Sequence, residues 1–484
     1  MTPHIYYDGW IRRYVSTKPF DRSFNTAKPP GWPSQGEDTD MAKHHRVFRG
    51  SAKTKLASTL AVALSITLVS VGHVSAAVTA TVNKPTVAQL ASWKGKTLNY
   101  LYFTDGPDEL ATRALATKFE AATGVKVNIE LIPFANLNQT LAARLAGGNA
   151  PDIARVASPA TFVKDLLNLD PYLGRDYRNE YLPGSYTQVL NSAHNLVGIP
   201  YDLTINGPFV NLDLFKKAGV TVPTKWTWDQ MLADAKKVQK ATGTDYAYAL
   251  DKSGHRISTV LSQYGSYMID ERGHNAFKIA PHRAAQALKT ITDLLKADQA
   301  PMDLWMGTGT KYASPLDIFY AQQLPIYLSG NWQVAALDKN ATFNWAAVPN
   351  PCQLNCGGFP GGKFLVAFKG SKNPSLAAYF LSWLGQSAQM DQIDQAANWL
   401  PTRVDLAAKG VSYPRRAADM NVFLADSVLT PARAYGYGSN GAAFTNAANA
   451  LVVETQNIVA GKMTPSAAVA DLSSKIDGFL AATK

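Results

Sequence analysis

Leu98 to Phe103 is a nearly unbroken apolar run, stopped by Thr104-Asp105-Gly106-Pro107, which predicts a short buried strand. Asp108 to Ala122 then places Leu110, Ala114, Leu115, Phe119 and Ala122 at helical spacing, and Thr123-Gly124 closes it. Val125 to Ile132 alternates as a strand does, Leu137 to Leu145 reads as a second helix ended by Gly147-Gly148, and Pro151 to Val156 begins another strand. Strand, helix, strand, helix, strand is the pattern of an α/β layer with a largely parallel sheet. Further on, Val197–Tyr201 and Phe209–Leu212 read as extended, and Trp228–Thr242, His282–Ala297, Ser375–Leu384 and Thr445–Ala460 as helical. There is no short-period repeat and no low-complexity linker. Two α/β lobes without a floppy connector suit a chain that crosses between them more than once.

The N-terminal part follows other rules. Met41 opens a basic stretch, an apolar run extends from Leu56 to about Val71, and Val74-Ser75-Ala76-Ala77 ends it with small residues. A charged start, an apolar middle and a small-residue end make a secretory signal over 41–76, and the run is short for a spanning helix, which needs about 20 apolar residues. An uncleaved anchor is the alternative. Residues 1–40, rich in Pro, Tyr and Trp, are expected to be a mis-assigned start upstream of Met41 or a disordered cytosolic extension, and 77–95 a linker. An exported product would work in the periplasm or outside the cell.

Composition changes the picture only after that leader is set aside. The whole chain of 484 residues carries a formal charge of +11. Residues 1–76 hold ten Lys and Arg against five Asp and Glu, so the remaining 408 residues carry +6. Length suggests two or three domains. No clustered basic block remains, which argues against nucleic-acid binding. The two cysteines, Cys352 and Cys356, form a C-x3-C pair with no second pair or nearby His to complete four ligands. In an oxidising compartment a local disulfide is the expected state, and closing so short a loop contributes only about 2 kcal/mol. No cysteine stands at the cleavage site to carry a lipid anchor. No G-x-S-x-G, H-E-x-x-H or P-loop pattern is present, and His194, His255, His274 and His282 lack metal spacing. No catalytic residue, metal or cofactor is implied.

Five blocks in order carry a resemblance. They are Phe119-Glu-Ala-Ala-Thr-Gly-Val-Lys-Val127 with Leu141 to Ile153 (ending Ala-Pro-Asp-Ile); Gly198-Ile-Pro-Tyr-Asp202 with Val210-Asn-Leu-Asp-Leu-Phe-Lys-Lys-Ala-Gly-Val220; Leu328-Ser-Gly-Asn-Trp332; Gly361-Gly-Lys-Phe-Leu-Val-Ala-Phe368; and Trp399-Leu-Pro-Thr-Arg403. Together they resemble the family 1 extracellular solute-binding proteins of ABC importers, the group of the maltose- and glycerol-phosphate-binding proteins. The resemblance implies a type II periplasmic-binding-protein-like fold, α/β in class, with a ligand cleft between two lobes. Lobe 1 would take 96–206 plus 364–405, and lobe 2 would take 207–363 plus 406–484. Crossings are expected near Thr204–Phe209, Lys363–Val366 and Thr402–Arg416. The expected partners are a carbohydrate ligand and the permease subunits, for a protein acting as a monomer.

Sugar sites need flat apolar faces for ring stacking and carboxylates or amides for hydroxyls. Trp332 is the leading stacking candidate through the family's Gly-x-Trp turn, with Trp399 and Tyr201 as partners or core residues. Asp105 follows the first strand, where open α/β sheets place ligand loops, or simply makes the turn with Gly106. Asp202 either binds hydroxyls or caps the crossing segment. Asn206 and Ser158 face the cleft by resemblance, Gly358 beside Gly357 would allow close backbone approach, and Tyr437 with Tyr435 lies on an aromatic loop near the entrance. Arg403 either clamps an anion bidentately or braces a lobe. A neutral mono- or oligosaccharide fits the excess of aromatics and acids over cations. The alternatives are glycerol 3-phosphate or a glycerophosphodiester, which would rest on Arg403, and a ligand sensor or carbohydrate-active enzyme on the same fold.

Overall fold

The computed structural model describes residues 85–482, apart from 271, 297, 309, 310 and 436–440. The signal-peptide expectation for 41–76, the segment 1–40 and the candidate Tyr437 therefore lie outside the described residues. The strands are β1 (Thr97–Tyr102), β2 (Lys126–Leu131), β3 (Ile153–Val156), β4 (Gly198–Asn211), β5 (Tyr248–Leu250), β6 (Ile326–Gly330), β7 (Trp345–Ala347) and β8 (Pro360–Ala367). The helices used below are α1 (Asp108–Thr123), α2 (Gly254–Gln263), α3 (Ser387–Ala397) and α4 (Ala417–Leu429).

β1 pairs in parallel with β2 and β3, and β5 pairs in parallel with β6. α1 makes the return from β1 to β2. Ala111, Leu115 and Phe119, four apart, bury one face of it, Asp108 and Glu109 sit in its first turn where the helix dipole favours acids, and Gly124 ends it in the left-handed conformation. The pattern of strands and helices through β3 matches the hydrophobic spacing closely.

Between these parallel pairs run two long antiparallel crossings. The first half of β4 pairs with β8, and its second half pairs with β6 and β7. The sequence shows two extended pieces here, and the structure joins them into one 14-residue strand buried along its whole length. Asp202, Thr204, Asn206 and Pro208 disguise the segment, because polar residues and a proline read as a break. They are tolerated because β8, β6 and β7 complete the backbone hydrogen bonds while tertiary partners satisfy the side chains.

Two separate hydrophobic cores flank the crossings. One gathers β1, β3, the start of β4 and the end of β8, with Leu115, Phe119, Tyr201, Phe364, Phe380 and Trp399. The other gathers Leu203, Phe209, Tyr248, Leu261, Tyr327, Phe359 and Leu472. The chain changes core between Tyr201 and Leu203, between Phe359 and Phe364 and between Trp399 and Leu400, and then returns to the first core at Leu406 before rejoining the second at Tyr413. Two cores stitched by these crossings make a two-lobed α/β fold.

Asp426 of α4 anchors the second lobe next to the crossing. Its Oδ2 accepts from the backbone N–H of Asn350 at 3.0 Å and from Asn350 Nδ2, whose amide also donates to Asn206 O. Burial pushes the Asp426 carboxyl up to about 6, against the pull of the Asn350 hydrogen bonds. Because this lies above the ordinary 3.8, the fold prefers the protonated acid. The stability it lends is present below about pH 4 and is lost as pH rises through about 6. Asp426→Asn should therefore gain on the wild type by about 1–2 kcal/mol between pH 5 and pH 7.5 in urea titrations. Equal pH slopes for the two proteins would refute this.

Candidate functional site

In open α/β sheets ligands gather outside the carboxyl ends of parallel strands. Four such ends carry polar or aromatic side chains here: Asp105 after β1, Ser158 after β3, Asp251 after β5 and Trp332 after β6.

On the first lobe the organising residue is Arg155 of β3, fully buried. Its Nη2 donates to Asp105 Oδ2 at 2.7 Å and to Asp202 Oδ2 at 2.8 Å. Its Nη1 donates to Phe103 O at 2.9 Å and approaches Asp108 Oδ2 at 3.4 Å. The guanidinium lies 4.4 Å from the Phe103 ring and 4.5 Å from that of Trp399. A buried charge survives only when paired and hydrogen-bonded, and planar guanidinium with five donors suits this junction. Asp108, which starts α1, also accepts from the hydroxyls of Tyr102 and Thr104. Asp105 keeps about a third of its side chain exposed. Partial burial would raise its carboxyl, but Arg155 and Lys363 outweigh that and hold it below the usual range.

Lys363 lies on β8 opposite Asp202 of β4. Burial pushes Asp202 up against the pull of Lys363 and Arg155. On the other side burial pushes His255 down to about 3, helped by Arg256 and Lys363. The Lys363 ammonium thus bears on Asp105 and Asp202 of the first lobe and on His255 at the start of α2 in the second.

The second wall is built around Trp332. A Cβ at Gly330 would lie 2.1 Å from the indole and 2.8 Å from Ile205 O, so only glycine lets the ring fold back against the end of β6. Asn331 fixes the turn by accepting the Ile205 N–H on Oδ1 at 2.8 Å. Trp332 stays half-buried. The Arg256 guanidinium lies over it, 4.3 Å from the ring centre. Asp251 accepts from Tyr327 at 3.0 Å and from Ser329 at 2.5 Å.

The remaining sequence candidates occupy several settings. Ser158 is half-buried, and its Oγ has no hydrogen-bond partner among the described residues. Tyr201 and Trp399 are buried and meet edge to face at 5.4 Å, beneath the strand ends in the first core. Asp202 is buried on Arg155. Asn206 is spent on structure: it donates to His255 O and Thr259 Oγ1 and accepts from Arg256. Gly358 packs against the crossing strand, since a Cβ there would lie 1.8 Å from Asn206 O. Gly358→Ala should therefore cost about 1–3 kcal/mol through a forced backbone shift, read as a lowered urea midpoint at unchanged slope; an unchanged midpoint would refute it. Arg403 takes the bracing option, donating to Glu180 Oε2 at 2.7 Å, Asp405 Oδ1 at 2.8 Å and Gly385 O at 2.8 Å. Cys352 and Cys356 are joined by a disulfide. Tyr435, the described neighbour of Tyr437, lays its ring against Gly184, where the two lobes touch.

Arg155, Asp251, Arg256 and Lys363 are absent from the sequence-derived candidates. The available signal was a cation inside each of two apolar strand patterns, Ile153-Ala-Arg-Val156 and Gly362-Lys-Phe-Leu365.

Two cores joined by long crossing strands define a two-lobed binding protein. Residues 104–391 match the family described as bacterial extracellular solute-binding protein, and the chain belongs to that family. It is 25% identical over 309 residues to the maltodextrin-binding protein MdxE of Bacillus subtilis (strain 168), covering 60% of this chain and 69% of that protein. The GacH receptor of Streptomyces glaucescens GLA.O, solved unliganded and with acarbose, superposes with a TM-score of 0.66 at 22% identity, over 80% of this chain and 98% of that one. Maltose-bound MalE3 of T. maritima gives 0.65 at 19% identity, over 79% and 99%. At these identities the superpositions speak for the fold. No helix among the described residues is long and apolar enough to cross a membrane.

Proposed function

We propose that this solute-binding protein captures a carbohydrate, a mono- or oligosaccharide, between its lobes and delivers it to the membrane subunits of an ABC importer. The observation that carries the reading is the half-buried indole of Trp332 at the end of one parallel strand, with the partly exposed Asp105 carboxylate, under the influence of Lys363, at the end of another. An aromatic face for pyranose C–H surfaces, an acceptor-only carboxylate and a donor-only ammonium match a ring carrying neighbouring hydroxyls. Maltodextrin, acarbose and maltose in the names of the similar proteins point the same way. The phosphate-ester alternative rests on Arg403, whose guanidinium is engaged by Glu180 and Asp405.

Ligand capture works by closure: the two lobes turn about β4, β8 and the segment after Trp399, and the sugar favours the closed form because it touches both walls only there. The protein acts as an exported monomer, outside the cytoplasm, with no chemistry on its ligand.

Thermal shift against maltose, maltotriose, acarbose, arabinose and chitobiose oligomers, and glycerol 3-phosphate tests this. A sugar at 100 times its Kd adds about 2.7 kcal/mol. A shift with a sugar that survives Arg403→Ala supports the reading. A shift with glycerol 3-phosphate alone, or with none of these, overturns it.

A further inference from the structure

Trp332 is held, and the holder is Arg256. The guanidinium at the start of α2 covers one face of the indole at 4.3 Å. It is itself fixed from two directions: Nη1 donates to Asn206 Oδ1 at 2.8 Å, and Nη2 lies 3.5 Å from Asp251 Oδ2. Asn206 belongs to the crossing strand β4 and is locked in turn by His255 O and Thr259 Oγ1. Gly330 closes off the edge of the indole on the strand side. Among the described residues no aromatic ring stacks on Trp332, and the indole stays half-buried beneath the Arg256 guanidinium.

We infer that Arg256 is a positioning residue that presets Trp332 as a one-faced stacking platform; this rests on the carbohydrate reading above. A free indole would sample several rotamers and lose that freedom on binding. A guanidinium stacked on one face restricts those rotamers before the ligand arrives, which is preorganisation. Arg256 is tied to Asn206 of β4, so the platform is referenced to the strand that links the lobes rather than to its own turn alone. Arginine suits the task better than lysine, because its planar group stacks while its edge hydrogen-bonds. Burial lowers the pKa of Arg256, partly offset by Asp251 and Tyr327, yet a guanidinium remains charged across the working range.

The test uses the full chain labelled with 5-fluorotryptophan, the Trp332 resonance being the one lost in Trp332→Phe. In the wild type this resonance should be sharp. Arg256→Met should shift and broaden it, and Arg256→Lys should fall between. A Trp332 resonance unchanged in Arg256→Met overturns the inference, whether or not any sugar binds. With the sugar that gives the largest thermal shift, Arg256→Met should weaken binding roughly 5- to 10-fold. It should weaken it no further in a Trp332→Ala background, since the two act as one unit. Additive losses would mean that Arg256 contacts the sugar itself or braces the lobe, and would also overturn the inference. If no sugar shifts the wild type, the carbohydrate reading fails while the fluorine spectra still decide the role of Arg256.

Discussion

Arg155→Met should destabilise the protein by about 3–5 kcal/mol, the range for removing one partner from a buried ion pair. The reason lies in what remains. Asp202 and Asp108 would stay buried with no cation in hydrogen-bond contact, and Asp105 would lose its 2.7 Å partner. The methionine restores apolar contact with Phe103 and Trp399 but supplies no donor. The variant should recover part of the loss as pH falls and the stranded carboxylates accept protons. Urea unfolding at pH 5 and pH 7.5 measures both effects. A loss under 1 kcal/mol would show that the guanidinium does not hold this junction together. Because the first lobe hangs on the same network, the variant's sugar affinity should fall as well.

Trp332→Ala should weaken sugar binding about 100-fold, close to 3 kcal/mol, in the range of aromatic residues that dominate a binding surface. Two features set this size. The indole presents one prepared face, and its removal exposes the Arg256 guanidinium, a poor surface for pyranose C–H groups. The folded state should change little, since Trp332 is half-buried and stands outside both cores. Calorimetric titration with the sugar identified by thermal shift checks the affinity, and the ligand-free melting temperature checks the fold. Affinity retained within threefold would remove Trp332 from the site and with it the stacking account. Trp399→Ala is the useful contrast: that ring is 2% exposed and packed on Tyr201 and Arg155, so its loss should appear first in stability.

By itself the sequence determined the alternation of strands and helices around β1, β2 and β3, the α/β class, and the order of motifs that resembles the solute-binding family. These depend on hydrophobic spacing over a few residues and on turn glycines such as Gly124, and a chain carries such information locally. The Gly-x-Trp turn belongs with them, because Gly330 and Trp332 touch each other.

Only the tertiary structure decided which polar residues are spent on bracing the fold. Tyr201 and Asp202 are adjacent in a strand whose buried length conceals which face is solvent, so no alternation could sort them. Asp202 meets Arg155 across 47 residues and Arg403 meets Glu180 across 223. Pairings that distant fix whether a charge braces the fold or awaits a ligand. Lys363 and Arg256 gain their roles in the same way: one sits where β8 passes β4, the other where α2 reaches the turn after β6. A strand residue's partners follow from register, and register is set by contacts between chain segments far apart in sequence.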